Sequence, residues 1–419
     1  MDSPQLAALL SSLISQLTLL ILLLYPSSPI PSIPDSNSNS NSSNFQTIFS
    51  LLHHFLSSSE IAASLSLRRK RRRTHFSDPD SDPESLSGSS KLARLARVDS
   101  APDSFRVFFK MAPSTFEWLS GLLEPLLECR DPIGLTINLS AELRLGIGLY
   151  RLSTGSDYSE IATRFRVTDQ VAKFCSKQLC RVLCTNFRFW VGFPNSVELN
   201  SVSQNFKDIT GLPNCCGVIS CTRFNLSTQE SIAAQIVVDS SSRILSIVAG
   251  FHGHNSNTKV LKSTTLYKDI QEGKILNSTP VYLGGVEIPQ YLVATNNEYP
   301  LLPWLIIPYD DPVPGSNEER FNAALRIPRI SMLKTVASLR NWGILSKPIE
   351  EDFRSGVAYI GACAILHNAL LIRGDYSGLC DDLVDYTVND HGLVQRNGSK
   401  TEEITVDGCL IRSALATKQ

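Results

Sequence analysis

The chain has 419 residues, with 39 Lys plus Arg against 40 Asp plus Glu and a formal net charge of -1. That balance excludes binding to nucleic acid by overall charge, so any DNA contact has to come from a local patch. The length suits two or three domains, and 42% hydrophobic with 8% aromatic residues is ordinary for a folded protein. The 10 cysteines lack the paired, tightly spaced ligands of a zinc site, so buried free thiols in a reducing compartment are expected.

Leu6–Tyr25 is uncharged and rich in leucine. Ser11, Ser12, Ser15 and Gln16 gather on one side of a helical projection, opposite Leu6, Leu10, Leu13, Leu17 and Leu24. The pattern suits a packing helix, with membrane association as the alternative. Pro26–Asn44 is rich in Ser, Pro and Asn and is expected to be disordered. Short apolar stretches follow at Phe45–Leu56 and Glu60–Leu67. Next comes the basic block Arg68, Arg69, Lys70, Arg71, Arg72 and Arg73, beside the acidic, Ser-rich Ser77–Ser90. It reads as an exposed nuclear import signal, a phosphate-contacting polycation or a solvated charge run.

Folding is expected from about Phe105, with Pro125 interrupting the first helical stretch. Leu139, Leu143, Ile147 and Tyr150 recur at helical spacing until Gly155 and Ser156 break the run. Tyr158–Phe165 predicts a short helix, and Thr168 an N-cap for a third that continues to Cys184. The spacing is that of a helix-turn-helix, which would offer Lys173, Lys177 and Arg181 to DNA. A helical bundle whose turns serve packing alone fits the same spacing.

After Gly211 the pattern changes to short β-branched runs. Cys216–Ile219, Ile232–Asp239 and Arg243–Gly250 predict strands, with a turn at Ser240–Ser242. Val281–Tyr282 and Tyr291–Val293 predict two more. Ser316 with Glu319 predicts a helix start before Phe321 and Asn322, and Ile330–Leu339 a further helix. Strands with interleaved helices indicate an α/β core.

The phrases Gly217-Val218-Ile219-Ser220-Cys221-Thr222, Gln235–Asp239, Gly250-Phe251-His252-Gly253, Tyr299-Pro300-Leu301-Leu302-Pro303-Trp304-Leu305, Phe321-Asn322, Leu339-Arg340-Asn341-Trp342 and Leu366-His367-Asn368 occur in this order. Jointly they resemble the Harbinger, or PIF-type, transposases of the DDE superfamily and especially the plant chromatin proteins derived from them. The resemblance covers roughly Phe105–Leu371. It implies an RNase H-like nuclease core preceded by a helical, helix-turn-helix-like domain. On that basis the chain divides into an apolar helix (1–25), a largely disordered stretch with the basic block (26–104), a helical domain (105–205), an RNase H-like domain (206–375) and a C-terminal tail (376–419) whose order the sequence leaves open.

The family's chemistry uses two aspartates and a glutamate to hold two magnesium or manganese ions. The positions matching the aspartates are Ser220 and Asn296, or Asn297 if the spacing has shifted. The glutamate matches Met332, next to Leu333, and a family histidine-aspartate pair matches Ser256 and Asn257. Asp239 and Asp310, with Asp311, are weak candidates for replacement ligands; capped turns or surface carboxylates are the plainer reading. The resemblance therefore implies a nuclear, catalytically inactive protein without a cofactor. It would act as a subunit of a chromatin-regulating complex, with a Myb-like partner and with self-association and DNA contact as possibilities. A DNA-binding module and a residual metal-dependent nuclease are the competing readings.

Overall fold

The computed structural model describes residues 102–128, 139–380 and 404–418. The Leu6–Tyr25 segment, the basic block Arg68–Arg73 and the other expectations for residues before Pro102 lie outside the described residues.

The helical part begins with α1 (Pro102–Phe109) and α2 (Pro113–Leu127). Phe105, Phe109 and Phe116 pack their rings at centroid distances of 4.7 to 5.6 Å, a spacing at which edge and tilted contacts are favourable. Pro125 does not interrupt α2, contrary to the sequence expectation. Only two helical residues follow it, the residue four back is Gly121 with open space around it, and Leu123 and Leu127 are buried. Burial here outweighs the lost backbone hydrogen bond.

Local caps set the next helices. Ser140 accepts from Leu143 N to start α3 (Ala141–Thr154), which ends at Gly155 in the left-handed region, φ 69°. Asp157 caps α4 (Tyr158–Phe165), and Thr168 caps α5 (Asp169–Thr185), the second cap being the one the sequence predicts. α6 (Phe187–Trp190) and α7 (Ser196–Thr210) follow, the latter opened by an Asn195–Glu198 capping box.

The sheet contains β1 (Cys215–Asn225), β2 (Ser231–Val238) and β3 (Ile244–His252), then β6 (Tyr291–Ala294) and β7 (Leu305–Ile306). Between β3 and β6 lie α8 (Asn257–Lys262), α9 (Thr265–Gln271) and a separate hairpin of β4 (Val281–Leu283) and β5 (Val286–Ile288). The strand order is β3-β2-β1-β6-β7. β1, β2 and β3 pair antiparallel, while β6 and β7 join β1 in parallel, the mixed sheet implied by the RNase H-like resemblance. β2 is buried along nearly its whole length, so it is covered on both faces.

α10 (Asn317–Asn341) packs on β1, followed by α11 (Gly343–Ser346), α12 (Phe353–Arg373) and α13 (Val406–Lys418). The helix expected to begin at Ile330 is instead the second half of α10, which passes through the buried Pro328. Phe321 and Leu325 before the proline and Met332 and Val336 after it are buried, which holds both halves in place. α12 is long and apolar enough to cross a membrane, but most of it is buried within the protein. The tail question is answered for α13, whose Ile411 and Leu415 are buried and whose preceding Thr405 donates to Leu301 O at 3.0 Å through its backbone N–H.

Two asparagines in the family phrases act as backbone clamps. Asn368 on α12 accepts from Ile244 N at 2.9 Å and donates to Ile244 O and Trp190 O, each at 2.9 Å. Asn322 accepts from Tyr309 N and donates to Tyr309 O, both at 2.9 Å. His367 Nε2 lies 2.8 Å from Ser242 O; a carbonyl accepts, so this nitrogen carries the proton. Burial pushes the His367 pKa down to about 4.

An ion pair between the buried Arg151 and the half-buried Glu351 joins the helical part to the segment that leads into α12. Arg151 on α3 donates to Glu351 Oε1 at 2.9 Å, Tyr158 OH donates to the same oxygen at 2.7 Å, and Tyr359 OH also donates to it. The guanidinium lies 4.9 Å from the Tyr158 ring centroid and donates to the carbonyls of Gly155 and Ser156. Burial alone would raise the Glu351 pKa, but the hydrogen bonds from Tyr359, Tyr158 and Arg151 and the Arg151 charge together hold it below its ordinary 4.5. Burial pushes Tyr158 up to about 12, so both phenols stay protonated donors at neutral pH. Glu351→Gln leaves Arg151 buried without its counter-charge and should cost about 3 kcal/mol in denaturant unfolding. Because the folded pKa is depressed, the ionised carboxylate stabilises above about pH 4.5 and loses this effect as pH falls through the folded value. The stability gap between wild type and Glu351→Gln should therefore narrow below that pH; a gap that stays constant into acid would exclude the ionised pair as its source.

Candidate functional site

The family's metal cleft would lie where β1 and β6 run side by side beneath α10. Thr295 N donates to Ile219 O at 3.1 Å, continuing the β1–β6 pairing past the end of β6. Val218, Ser220 and Thr222 alternate onto one face of β1. α10 lies along that face: Leu325 and Arg329 border a cavity with Val218, and Arg340 Nη2 donates to Thr222 Oγ1 at 3.3 Å. Helix and strand thus run in the same direction. Met332 falls between Arg329 and Arg340, and it is 2% exposed.

At Ser220, which the resemblance matches to the first family aspartate, Oγ accepts from Thr295 Oγ1 at 2.9 Å. At the second, Asn296 follows β6 and its Oδ1 accepts from Glu298 N at 3.3 Å. Met332 offers a thioether at the third. Asn297, the alternative for the second position, donates to Asp310. These are neutral donors and acceptors already paired with neighbours, or a soft sulfur. They do not fit two hard divalent cations, which require several anionic oxygens. Among the described residues, no group of three or more His, Cys, Asp or Glu is placed to hold a metal ion.

The two replacement candidates take different places. Asp239 caps the β2–β3 turn: Oδ1 accepts from Ser241 N at 2.9 Å and Arg243 N at 3.0 Å, and Oδ2 pairs with Arg243 Nε at 3.1 Å. Val238 pairs with Val218, so Asp239 lies towards the start of β1, while Asn296 follows the far end of the parallel β6. The plainer reading, a capped turn, describes it. Asp310 lies beyond β7 at the Asn296 end, exposed and engaged by Asn297. Asp311 is an exposed turn residue with φ 42°.

A network that sequence reading missed occupies the end of β1. Arg223 donates to Gly253 O at 3.2 Å, Cys221 O at 3.1 Å, Asn255 O at 3.1 Å and Asn257 Oδ1 at 2.9 Å. Asn257 Nδ2 in turn donates to Glu298 Oε2 at 2.7 Å. Asn257, which the resemblance matches to a family aspartate, accepts from the arginine while donating to the glutamate, and an ionised carboxylate could not do both. The signal was Arg223 itself, a cation directly after the first family phrase, in a strand otherwise built of apolar and small residues. Ser256 accepts from Lys259 N and caps α8.

Lys173, Lys177 and Arg181 are all exposed along one side of α5. The helix also packs against α3, α4 and α12, so the bundle reading and the cationic stripe coexist. Lys173 lies 6.0 Å from the Tyr158 ring centroid. No disulfide joins the described cysteines, and burial raises the Cys184 and Cys221 thiols to about 11.

Restoring the third acidic position by Met332→Glu should destabilise the protein by at least about 2 kcal/mol, because a carboxylate would be desolvated without a prepared partner. Thermal and denaturant unfolding measure this. An unchanged melting temperature would show that the site tolerates a carboxylate and that Met332 packing contributes nothing.

Residues 221–368 match a family model described as a DDE superfamily endonuclease; the match begins immediately after Ser220. The Arabidopsis thaliana protein named Antagonist of Like Heterochromatin Protein 1 is 30% identical over 336 residues, covering 74% of this chain and 84% of that protein. A second Arabidopsis thaliana protein, "Protein ALP1-like", is 26% identical over 71% of this chain and 75% of its own length. The Xenopus laevis protein named "Putative nuclease HARBI1" is 22% identical over 66% of this chain and 80% of its own length. No solved structure gives a significant match. A helical region leading into the mixed sheet, with these relatives along most of its length, places the chain in the Harbinger-type, transposase-derived family of the DDE superfamily.

Proposed function

We propose that this protein is a catalytically inactive transposase derivative that serves as a subunit of a nuclear chromatin-regulating complex. One observation carries the loss of catalysis: Ser220, Asn296 and Met332, at the family's three acidic positions, are neutral, and the first two are held by Thr295 and Glu298. The donor set lacks the charge needed to hold magnesium or manganese, so metal-activated water attack has no support here. Residual nuclease activity would need a new carboxylate cluster, and Asp239 is committed to a turn.

The chromatin role is supported by the relative named as an antagonist of a heterochromatin protein. Nuclear location rests on that likeness and on Arg68–Arg73, a segment able to serve as an import signal. A Myb-like DNA-binding partner is part of the same proposal, since the family resemblance implies one. Loss of the metal ligands need not alter the surface that meets such a partner. Purified from nuclei in salt and nuclease, the tagged full chain should retain stable protein partners. Loss of every partner under nuclease treatment would replace this reading with direct DNA binding.

That second reading has its own observation, the exposed Lys173, Lys177 and Arg181 stripe on α5. If the stripe contacts phosphates, its triple glutamine variant should weaken duplex binding and flatten its salt dependence by about three charges. An unchanged salt slope, with binding that instead disappears on deleting residues 60–80, would assign all DNA affinity to the basic block.

A further inference from the structure

A groove of about 320 Å³ lies between α10, the end of α12 and the β2–β3 turn. Its apolar side is formed by Ile327 and Ile330 of α10 with Leu371, Tyr376 and Leu379. Ile327, Ile330 and Tyr376 are exposed, so large apolar side chains gather on one patch of surface, the pattern of a contact site. Its polar side carries Ser240 and Ser242 of the turn and His367 of α12. His367 is 1% exposed. Its Nε2 donates to Ser242 O, which leaves Nδ1 an acceptor only. Burial pushes the ring pKa down to about 4, so that state holds through the neutral range. Nδ1 has no hydrogen-bond partner among the described residues. One ring carbon separates the two nitrogens, so the orphan acceptor sits in the same corner as Ser242. An acceptor buried without a partner is a cost to the fold, and a donor brought by a ligand removes it. The charges nearby are already engaged. Asp239, which acts on the ring, is held by Ser241 and Arg243, and Lys334, which borders the groove, has an interaction of its own.

We propose that this groove receives the indole side chain of a tryptophan on a partner protein. The walls gain from a large apolar body, and the polar corner asks for one hydrogen-bond donor. Indole supplies both, because its N–H donates and it carries no acceptor that would be left unpaired. A phenol brings an acceptor along with its donor, and aliphatic or phenylalanine side chains bring no donor. An ammonium or guanidinium would have to be desolvated opposite a neutral acceptor. The volume is at the lower end for small-molecule sites and suits one bicyclic ring, and a buried aromatic anchor is a common centre of a protein interface. The inference rests on the reading of the protein as a subunit of a complex, since a partner has to bring the tryptophan. It is tested with a defined ligand, so its failure is separate from the retention of partners after nuclease treatment.

The experiment titrates the full chain, isotope-labelled at isoleucine methyl groups and histidine ring nitrogens, with N-acetyl-tryptophanamide. The Ile327 and Ile330 methyl signals should shift saturably. The His367 Nδ1 resonance should move upfield, as an unprotonated ring nitrogen does on accepting a hydrogen bond. The indole N-methyl derivative of the same amide keeps the ring and loses the donor. It should bind at least about fivefold more weakly, the worth of one hydrogen bond, and leave the Nδ1 resonance in place. Ile330→Glu, at an exposed position, should abolish binding without lowering the melting temperature, and Ile327→Glu should do the same. Equal binding of the N-methyl derivative or of N-acetyl-tyrosinamide, or binding unaffected by the isoleucine changes, would overturn the proposal. So would methyl shifts without movement of Nδ1, or no shift at all up to the solubility limit of the amide. Methyl shifts on dilution of the chain alone would overturn it in favour of a second copy on this face. Shifts produced by a short duplex DNA in place of the amide would overturn it in favour of a nucleic-acid surface.

Discussion

Glu351 and Arg151 are the pair on which the assembly of this fold depends. Each is desolvated, and neither would be tolerated alone, because an unpaired buried charge costs several kcal/mol. Two phenols complete the carboxylate, and the carbonyls of Gly155 and Ser156 engage the guanidinium. The pair therefore works only if the end of α3, the start of α4 and the approach to α12 arrive together. Steric fit adds a second condition at the same joint. A side chain at Gly343 would come within 2.4 Å of the Thr154 carbonyl carbon, and one at Gly155 within 2.8 Å of Gly343 O. Gly155 also takes φ 69°, which other residues adopt at a cost. Charge pairing and backbone apposition thus join the helical part and the α10–α12 layer at one place.

With that joint made, the cleft can change its chemistry without disturbing the frame. Carboxylates held close together repel unless metal ions lie between them. The residues present remove that requirement. Ser220 and Thr295 satisfy one another, Asn296 closes a turn on Glu298, and Met332 packs as an ordinary apolar side chain. Asn257 goes further, because its amide links Arg223 to Glu298. An aspartate there would accept from the arginine but repel the glutamate. Ser220, Asn296 and Asn257 are therefore integrated into the hydrogen bonding of the fold and Met332 into its core, so none of them is held ready for a cation.

Much of this architecture was legible because it is local. Thr168 announces a helix start through a side chain that satisfies the backbone N–H three residues on, and the break at Gly155 and the short Tyr158–Phe165 helix are equally local; the structure has all three. Strand alternation and the Ser240–Ser242 turn were legible for the same reason. Pro125 was misread, and the helix that passes through Pro328 was read as two, because a proline lowers local helix propensity while the outcome is set by burial of Leu127, Met332 and Val336. The altered positions Ser220, Asn296 and Met332 could be found only through the resemblance, since no spacing rule marks a serine as the heir of an aspartate. Partners distant in sequence stayed hidden: Arg151 with Glu351 is 200 residues apart, and Asn368 with Ile244 is 124 apart.

The family phrases themselves divide into two kinds. Asn322, His367 and Asn368 hold backbone segments, Tyr309 in one case and the β2–β3 turn and β3 in the others. Their work is independent of metal, so they have a structural reason to remain whether or not the protein cleaves DNA. Carboxylates in place of Ser220, Asn296 and Met332 would have a reason only while they held ions, whereas the neutral residues present have their own places in the hydrogen bonding and packing of the fold.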